Sequence, residues 1–274
     1  MEPETRKPAS SIIRSSLVSV LTVSTWLCFV PSLKGSTPKN DLVASASERQ
    51  QVLDLAASGE YDRLLSMLIE RYDRSVRDYK GLLIRQERIG RRLGPEQHIA
   101  FKFRQEPFSV HMEWLRNPLG ARQVLYAKGQ NNDMMIAQPA GVMSWLKSIR
   151  VDPEGRQAAQ SSLYPITEFG FRSNLARALE VYRMAAEKGR LEMSFSGPQT
   201  IDGREYFIVE RVIHGGEHEH ARLIIHVDLE YLVPTRISTF DSRGSLIGRY
   251  HYDNLEFNSG LTDADFDPRA YRLN

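Results

Sequence analysis

The chain has 274 residues, with 36 Lys+Arg against 34 Asp+Glu and a single cysteine. Five of the bases and three of the acids fall in residues 1–46, leaving 31 of each beyond them, so the remainder is neutral and shows no basic footprint for nucleic acid. The lone Cys28 also lies in that N-terminal part, which excludes a disulfide framework and a cysteine nucleophile from the rest.

Arg6, Lys7 and Arg14 precede an uncharged run, residues 17–30 (LVSVLTVSTWLCFV). A basic segment followed by an apolar one of this length is the pattern of an export signal. As a helix the run spans about 21 Å, short of the roughly 30 Å of a bilayer's hydrocarbon core. Extended to residues 15–33 it reaches nineteen uncharged residues, so an uncleaved anchor is the alternative. Cleavage is expected after Ala44-Ser45-Ala46, which makes 1–46 a signal and linker and 47–274 one domain. Thr25-Trp26-Leu27 lacks the small residues that would prepare Cys28 for lipidation.

A short helix is expected over 48–57, ending at Ser58-Gly59. Tyr61, Leu64, Leu65, Leu68, Ile69, Tyr72 and Val76 then form one apolar stripe of a longer helix. After Asp78 the period changes to two. Ile99, Phe101 and Phe103 alternate with His98, Lys102 and Arg104; Val110, Met112 and Trp114 alternate with Ser109, His111 and Glu113. Each set reads as a half-buried strand, with Glu106-Pro107 as the break. Strands over 124–128 and 134–138 continue the meander. Residues 139–165 lose periodicity and read as a long excursion containing the turn Asp152-Pro153-Glu154-Gly155. Phe171, Leu175, Ala178, Leu179, Tyr182, Ala185 and Ala186 mark a second main helix, and five strands follow over 191–196, 204–213, 221–228, 234–240 and 246–257. Two helices among hairpin-linked strands predict an α+β fold with an antiparallel sheet.

Little in the chain carries catalytic chemistry. His214, His218 and His220 crowd together, with His226 beyond, but Leu223, Ile225 and Val227 set the inward parity there and the histidines fall on the outward one. A polar hairpin is expected, with zinc-type ligation as the alternative. No G-x-S-x-G pattern occurs, and the run Asp263, Asp265, Asp267 sits in a polar terminal turn. No enzyme activity and no cofactor are expected. Arg104, at the end of an apolar strand, is a candidate for meeting a lipid headgroup or carboxylate at a groove rim; pairing with Glu106 or solvent is the alternative.

The stretch 102–115 (KFRQEPFSVHMEWL), Val124-Leu125-Tyr126 and the closing 261–268 (LTDADFDP) resemble a bacterial family of exported domains of unknown function, family 1571. More distantly, Asp241-Ser242-Arg243-Gly244, Asn258, Leu261, Asp263 and Phe266 resemble the ending of the LolA/LolB lipoprotein-carrier superfamily, with Arg104 near that family's rim arginine. The resemblance implies a strongly curved, incomplete antiparallel barrel with helices over its concave side and an apolar cavity between. Phe101, Phe103, Val110, Met112, Trp114 and Tyr126 are then the expected lining, and lipid or lipoprotein acyl chains the expected partners. An envelope scaffold whose own helices fill the cavity is the alternative, and a His-rich metal-binding protein is a third.

Overall fold

The computed structural model describes residues 42–141, 147–215 and 220–273. Helices α1 (Ala46–Ala57) and α2 (Tyr61–Ser75) lead into seven strands: β1 (Asp78–Ile89), β2 (Arg92–Leu93), β3 (Gln97–Arg104), β4 (Ser109–Arg116), β5 (Ala121–Ala127), β6 (Met135–Pro139) and β7 (Ile149–Val151). The excursion carries one helical turn, α3 (Arg156–Ala159), before α4 (Phe171–Glu187). Strands β8 (Leu191–Ile201), β9 (Arg204–Ile213), β10 (Arg222–Asp228), β11 (Val233–Phe240) and β12 (Leu246–Phe257) complete the sheet.

Eleven strands run in the order β7-β6-β5-β4-β3-β1-β12-β11-β10-β9-β8, with β2 paired to β1. Every pairing is antiparallel. Strands β7 and β8 end the path, so the barrel is incomplete. Register shifts at Lys80/Leu82, His98/Ile99, Thr239/Phe240 and Ser196/Gln199 mark bulges, which sharpen local twist and let the sheet curl. At the first of these the chains approach closely: a Cβ on Gly81 would lie 2.8 Å from the Asp253 carbonyl oxygen, so only glycine fits.

Sequence alternation places the inward row. Phe101 pairs with Met112 and Phe103 with Val110, then Met112 with Val124 and Val110 with Tyr126. Two apolar masses share the concave side. One joins α1, α2 and α4 to Phe207, Val209, Ile225 and Val227 of β9 and β10. The other gathers Phe101, Phe103, Val110, Tyr126 and Phe171 around Tyr79, whose ring centre lies 4.8 Å from both Phe103 and Phe171. Gly170, at φ +117°, starts α4 against this centre, where a Cβ would sit 2.9 Å from the Tyr79 hydroxyl. The helices therefore fill the β8–β11 half of the trough and leave the β1–β7 half to the excursion.

Residues 42–45, which precede the expected cleavage point, are held by the domain. Ser45 caps α1 through a capping box with Glu48, and the Ala44 amide donates to the Glu230 carbonyl at 2.7 Å. The Leu42 carbonyl accepts from the Arg71 guanidinium at 2.7 Å. Residues 1–41, which hold most of the expected signal and linker, lie outside the described residues; among the described residues no helix is long and apolar enough to cross a membrane.

Candidate functional site

A cavity of about 820 Å³ opens on the concave face of the β1–β7 half. Its apolar wall is made by Leu83, Met112, Trp114, Val124, Met135 and Val151, each at an inward position of its strand. The excursion and the residues just after it form the roof: Ala158 of α3 and Tyr164, then Ile166 and Phe169.

One end of the cavity is polar. The Arg85 Nε donates to Gln97 Oε1 at 2.8 Å and its Nη1 to Ser162 Oγ at 3.1 Å, while the same Nη1 lies 3.5 Å from Glu87 Oε2. Both members of this pair are buried. Tyr250 donates its hydroxyl to Glu87 Oε1 at 2.7 Å, and burial, with the Glu87 charge second, holds that phenol well above its ordinary pKa. Arg177 of α4 pairs with Glu168 and lies 3.8 Å from the centre of the Tyr164 ring. Burial also raises the Tyr164 pKa. The polar end is thus a set of internally matched charges capping a greasy chamber.

A family model described as protein of unknown function (DUF1571) matches residues 76–272. The chain belongs to the DUF1571 family. No match was found among curated proteins. The fold of this DUF1571 protein is similar to a crystal structure of MucB at 15% identity and TM-score 0.47, covering 76% of this chain and 62% of that one. It thus spans less than two thirds of MucB's length. It is also similar to the Mycobacterium tuberculosis lipoprotein LppX, at 9% identity and TM-score 0.41 over 76% and 99% of the two chains. A LolA superfamily protein from Nitrosomonas europaea matches at 10% identity and TM-score 0.33, over 81% and 98%.

Among the lining residues expected from the DUF1571 sequence, Met112 and Trp114 face the cavity. Phe101, Phe103, Val110 and Tyr126 occupy the same face but belong to the solid core. For Phe101 and Phe103 the reason is Phe169, whose ring centre lies 5.3 Å from the first and 5.9 Å from the second, between them and the open volume; Tyr126 packs instead on Phe108 at 6.0 Å.

Arg104 is not at the cavity rim. It follows Phe103 on a period-two strand and so emerges on the outer face, where its Nη2 meets Asp263 Oδ1 at 2.8 Å and Ser109 Oγ at 3.3 Å. Its guanidinium carbon lies 5.0 Å from the Phe266 ring centre. Lys102, two residues earlier, meets Asp265 Oδ1 at 2.8 Å. The aspartates of the closing run therefore clamp the chain end onto the outside of β3–β6. Phe266 and Leu273 bury against Leu125 and Ile136 there.

His214 pairs with Glu192 at 2.7 Å, His220 lies near Tyr164, and His218 falls outside the described residues. Among the described residues no group of three or more potential metal ligands assembles.

The residues that build the polar end were missed by the sequence reading, although Arg85 and Glu87 continue the inward parity of Leu83. A charge on the inward row of an apolar strand was the available signal.

Proposed function

We propose that this is a non-catalytic, exported cell-envelope protein that holds a lipid or a lipidated partner by its hydrocarbon chain. The observation that carries the reading is the chamber of about 820 Å³ with apolar walls and one polar end. That volume lies within the roughly 300–1,000 Å³ usual for ligand sites. At about 24 cal/mol per Å³, a dry void of this size would cost on the order of 20 kcal/mol, more than a domain's whole stability, so the chamber holds solvent or a guest. A sixteen-carbon chain gains about 13 kcal/mol gross from burial at roughly 0.8 kcal/mol per methylene. Association and ordering take back about 4–15 kcal/mol of it, which leaves reversible binding suited to carriage.

The lining supports a binding role over a catalytic one. Its described residues include no histidine or cysteine, and its carboxylates Glu87 and Glu168 are held by Arg85 and Arg177. Export rests on the N-terminal pattern, and N-terminal sequencing with cell fractionation tests it.

Native mass spectrometry of the protein purified from its own membranes tests the binding. An adduct in the mass range of an acyl lipid, displaced by added hexadecanoate or hexadecanol, is expected. A clean protein mass together with no uptake of either compound would overturn the reading.

A further inference from the structure

Four arginines are buried among the described residues: Arg71, Arg85, Arg104 and Arg211. Three have a carboxylate: Glu48 at 3.3 Å, Glu87 at 3.5 Å and Asp263 at 2.8 Å respectively. Arg211 has none among the described residues. It is 5% exposed, its Nη2 donates to the His220 carbonyl at 3.2 Å, and its Nε has no hydrogen-bond partner. A guanidinium buried without a carboxylate among the described residues is expensive to keep, and an oxyanion brought by a guest would offset that cost.

The position of Arg211 says where that charge would come from. On β9 it continues the inward row of Phe207 and Val209 and pairs across the sheet with Leu223. It opens into a smaller hollow of about 140 Å³, whose polar lining includes Tyr164, Asn174, Arg177, His220 and Thr239. Tyr164, Asn174, Arg177 and Tyr250 line both this hollow and the large chamber, so the two adjoin along that polar wall. The wall's own cation, Arg177, is already matched by Glu168 and stacked on Tyr164. A guest with a neutral head would leave Arg211 uncompensated; an oxyanion would match it.

We propose that Arg211 anchors the acidic headgroup, a carboxylate or phosphate monoester, of a single-chain amphiphile whose tail lies in the large chamber. This rests on the binding function proposed above and adds to it the headgroup class. The guanidinium offers a planar fork of donors to two oxygens at once, and Tyr164 lines the same hollow. The small volume of the side hollow accommodates a compact oxyanion and excludes a bulky polar head.

The test measures binding of hexadecanoate, hexadecyl phosphate and 1-hexadecanol to the wild-type chain, Arg211→Gln and Arg211→Lys, by displacement of a polarity-sensitive dye and by native mass spectrometry. Wild type is expected to prefer one or both acids over the alcohol by about tenfold or more. The carboxylate and phosphate arms show which source of oxyanion the hollow takes. Arg211→Gln is expected to lose that preference while binding the alcohol as before, and retained alcohol binding certifies that the variant is folded. Arg211→Lys is expected to keep part of the preference, and serves as the folded comparison if the glutamine variant does not express. Equal affinity of acid and alcohol for wild type, or an acid preference untouched in Arg211→Gln or undiminished in Arg211→Lys, overturns the anchor while leaving the chamber as a lipid site. Failure of all three compounds to bind wild type overturns both.

Discussion

Arg177 of α4 lies 3.8 Å from the centre of the Tyr164 ring, and this contact joins the roof of the chamber to the helix that starts beside it. Glu168 pairs with the same guanidinium, so both ends of the roof's last stretch converge on one side chain. The pair is partly solvent-exposed, which limits its share of global stability. Arg177→Ala is therefore expected to speed release of a bound amphiphile several-fold, with a loss of no more than about 1 kcal/mol in unfolding free energy. Stopped-flow release rates and hydrogen exchange over residues 157–169 check it. Unchanged release and unchanged exchange would show that the roof is held by its apolar contacts alone.

How far the sequence announced this arrangement depends on distance along the chain. The period-two rows of β3 and β4 gave the inward faces, and the same parity, followed one residue on, places Arg104 outside. What parity does not contain is the depth of a face. Phe101 and Phe103 point inward yet meet Phe169, which arrives from more than sixty residues later and converts lining into core. The excursion has no period of its own because it is a half-buried roof that faces residues of β1, β4, β5, β6 and β12 across the chamber. Arg211 was legible in principle, a charge that follows Phe207 and Val209 on one apolar row. The closing aspartates were legible as a charge run, but their partners Lys102 and Arg104 lie some 160 residues upstream.

His111 is buried on the outer face, its ring stacked on Tyr271 at 3.6 Å. Burial, opposed by Gln123 and aided more weakly by the Lys102 charge, lowers its pKa to about 4. An unfolded histidine titrates near 6.5, so as pH falls the unfolded chain takes up this proton first. The contribution to stability is whole above about pH 6.5, is lost between 6.5 and about 4, and is flat below. At pH 5 the loss from this one group is about 2 kcal/mol, taking 1.36 kcal/mol per unit. Burial lowers the pKa of His226 and His251 as well, and they add in the same direction. His111→Phe keeps the ring stack, so its urea midpoint is expected to fall distinctly less than wild type's between pH 7.5 and 5. Parallel falls would refute the assignment.

The contribution of residues 42–45 is open to the same kind of test. Residues 42–45 contribute the buried Leu42, the cap of α1 and an acceptor for the interior guanidinium of Arg71. Loss of a cap costs about 1 kcal/mol, and an unsatisfied donor on a buried charge costs more. A chain lacking residues 1–46 is expected to be less stable than one lacking 1–41 by on the order of 3 kcal/mol, read from chemical denaturation. The mature protein is accordingly expected to begin at or before Leu42. Equal stability of the two would restore cleavage after Ala46.

A buried cation with no carboxylate among the described residues implies a trade between stability and binding that can be measured without any ligand. Burial pulls the Arg211 pKa down to about 10, which is the mark of a charged form disfavoured by its surroundings. Its neighbours along the inward face include Met193, Leu223 and Ile225, which suit an unbranched apolar side chain of similar length. Arg211→Met removes the uncompensated charge and keeps most of the volume, and replacing buried ionic groups by apolar ones of similar size is often stabilising. The ligand-free variant is expected to gain about 1–2 kcal/mol over ligand-free wild type, a rise of a few degrees in Tm for a domain of this size. Delipidation before the measurement is essential, because a bound acid would supply the missing charge to wild type and stabilise it by mass action. With hexadecanoate in excess the order should reverse, wild type gaining and the variant not. A ligand-free Arg211→Met protein less stable than wild type would mean that the guanidinium is structural, satisfied by solvent in the side hollow, and is not held in reserve for a guest.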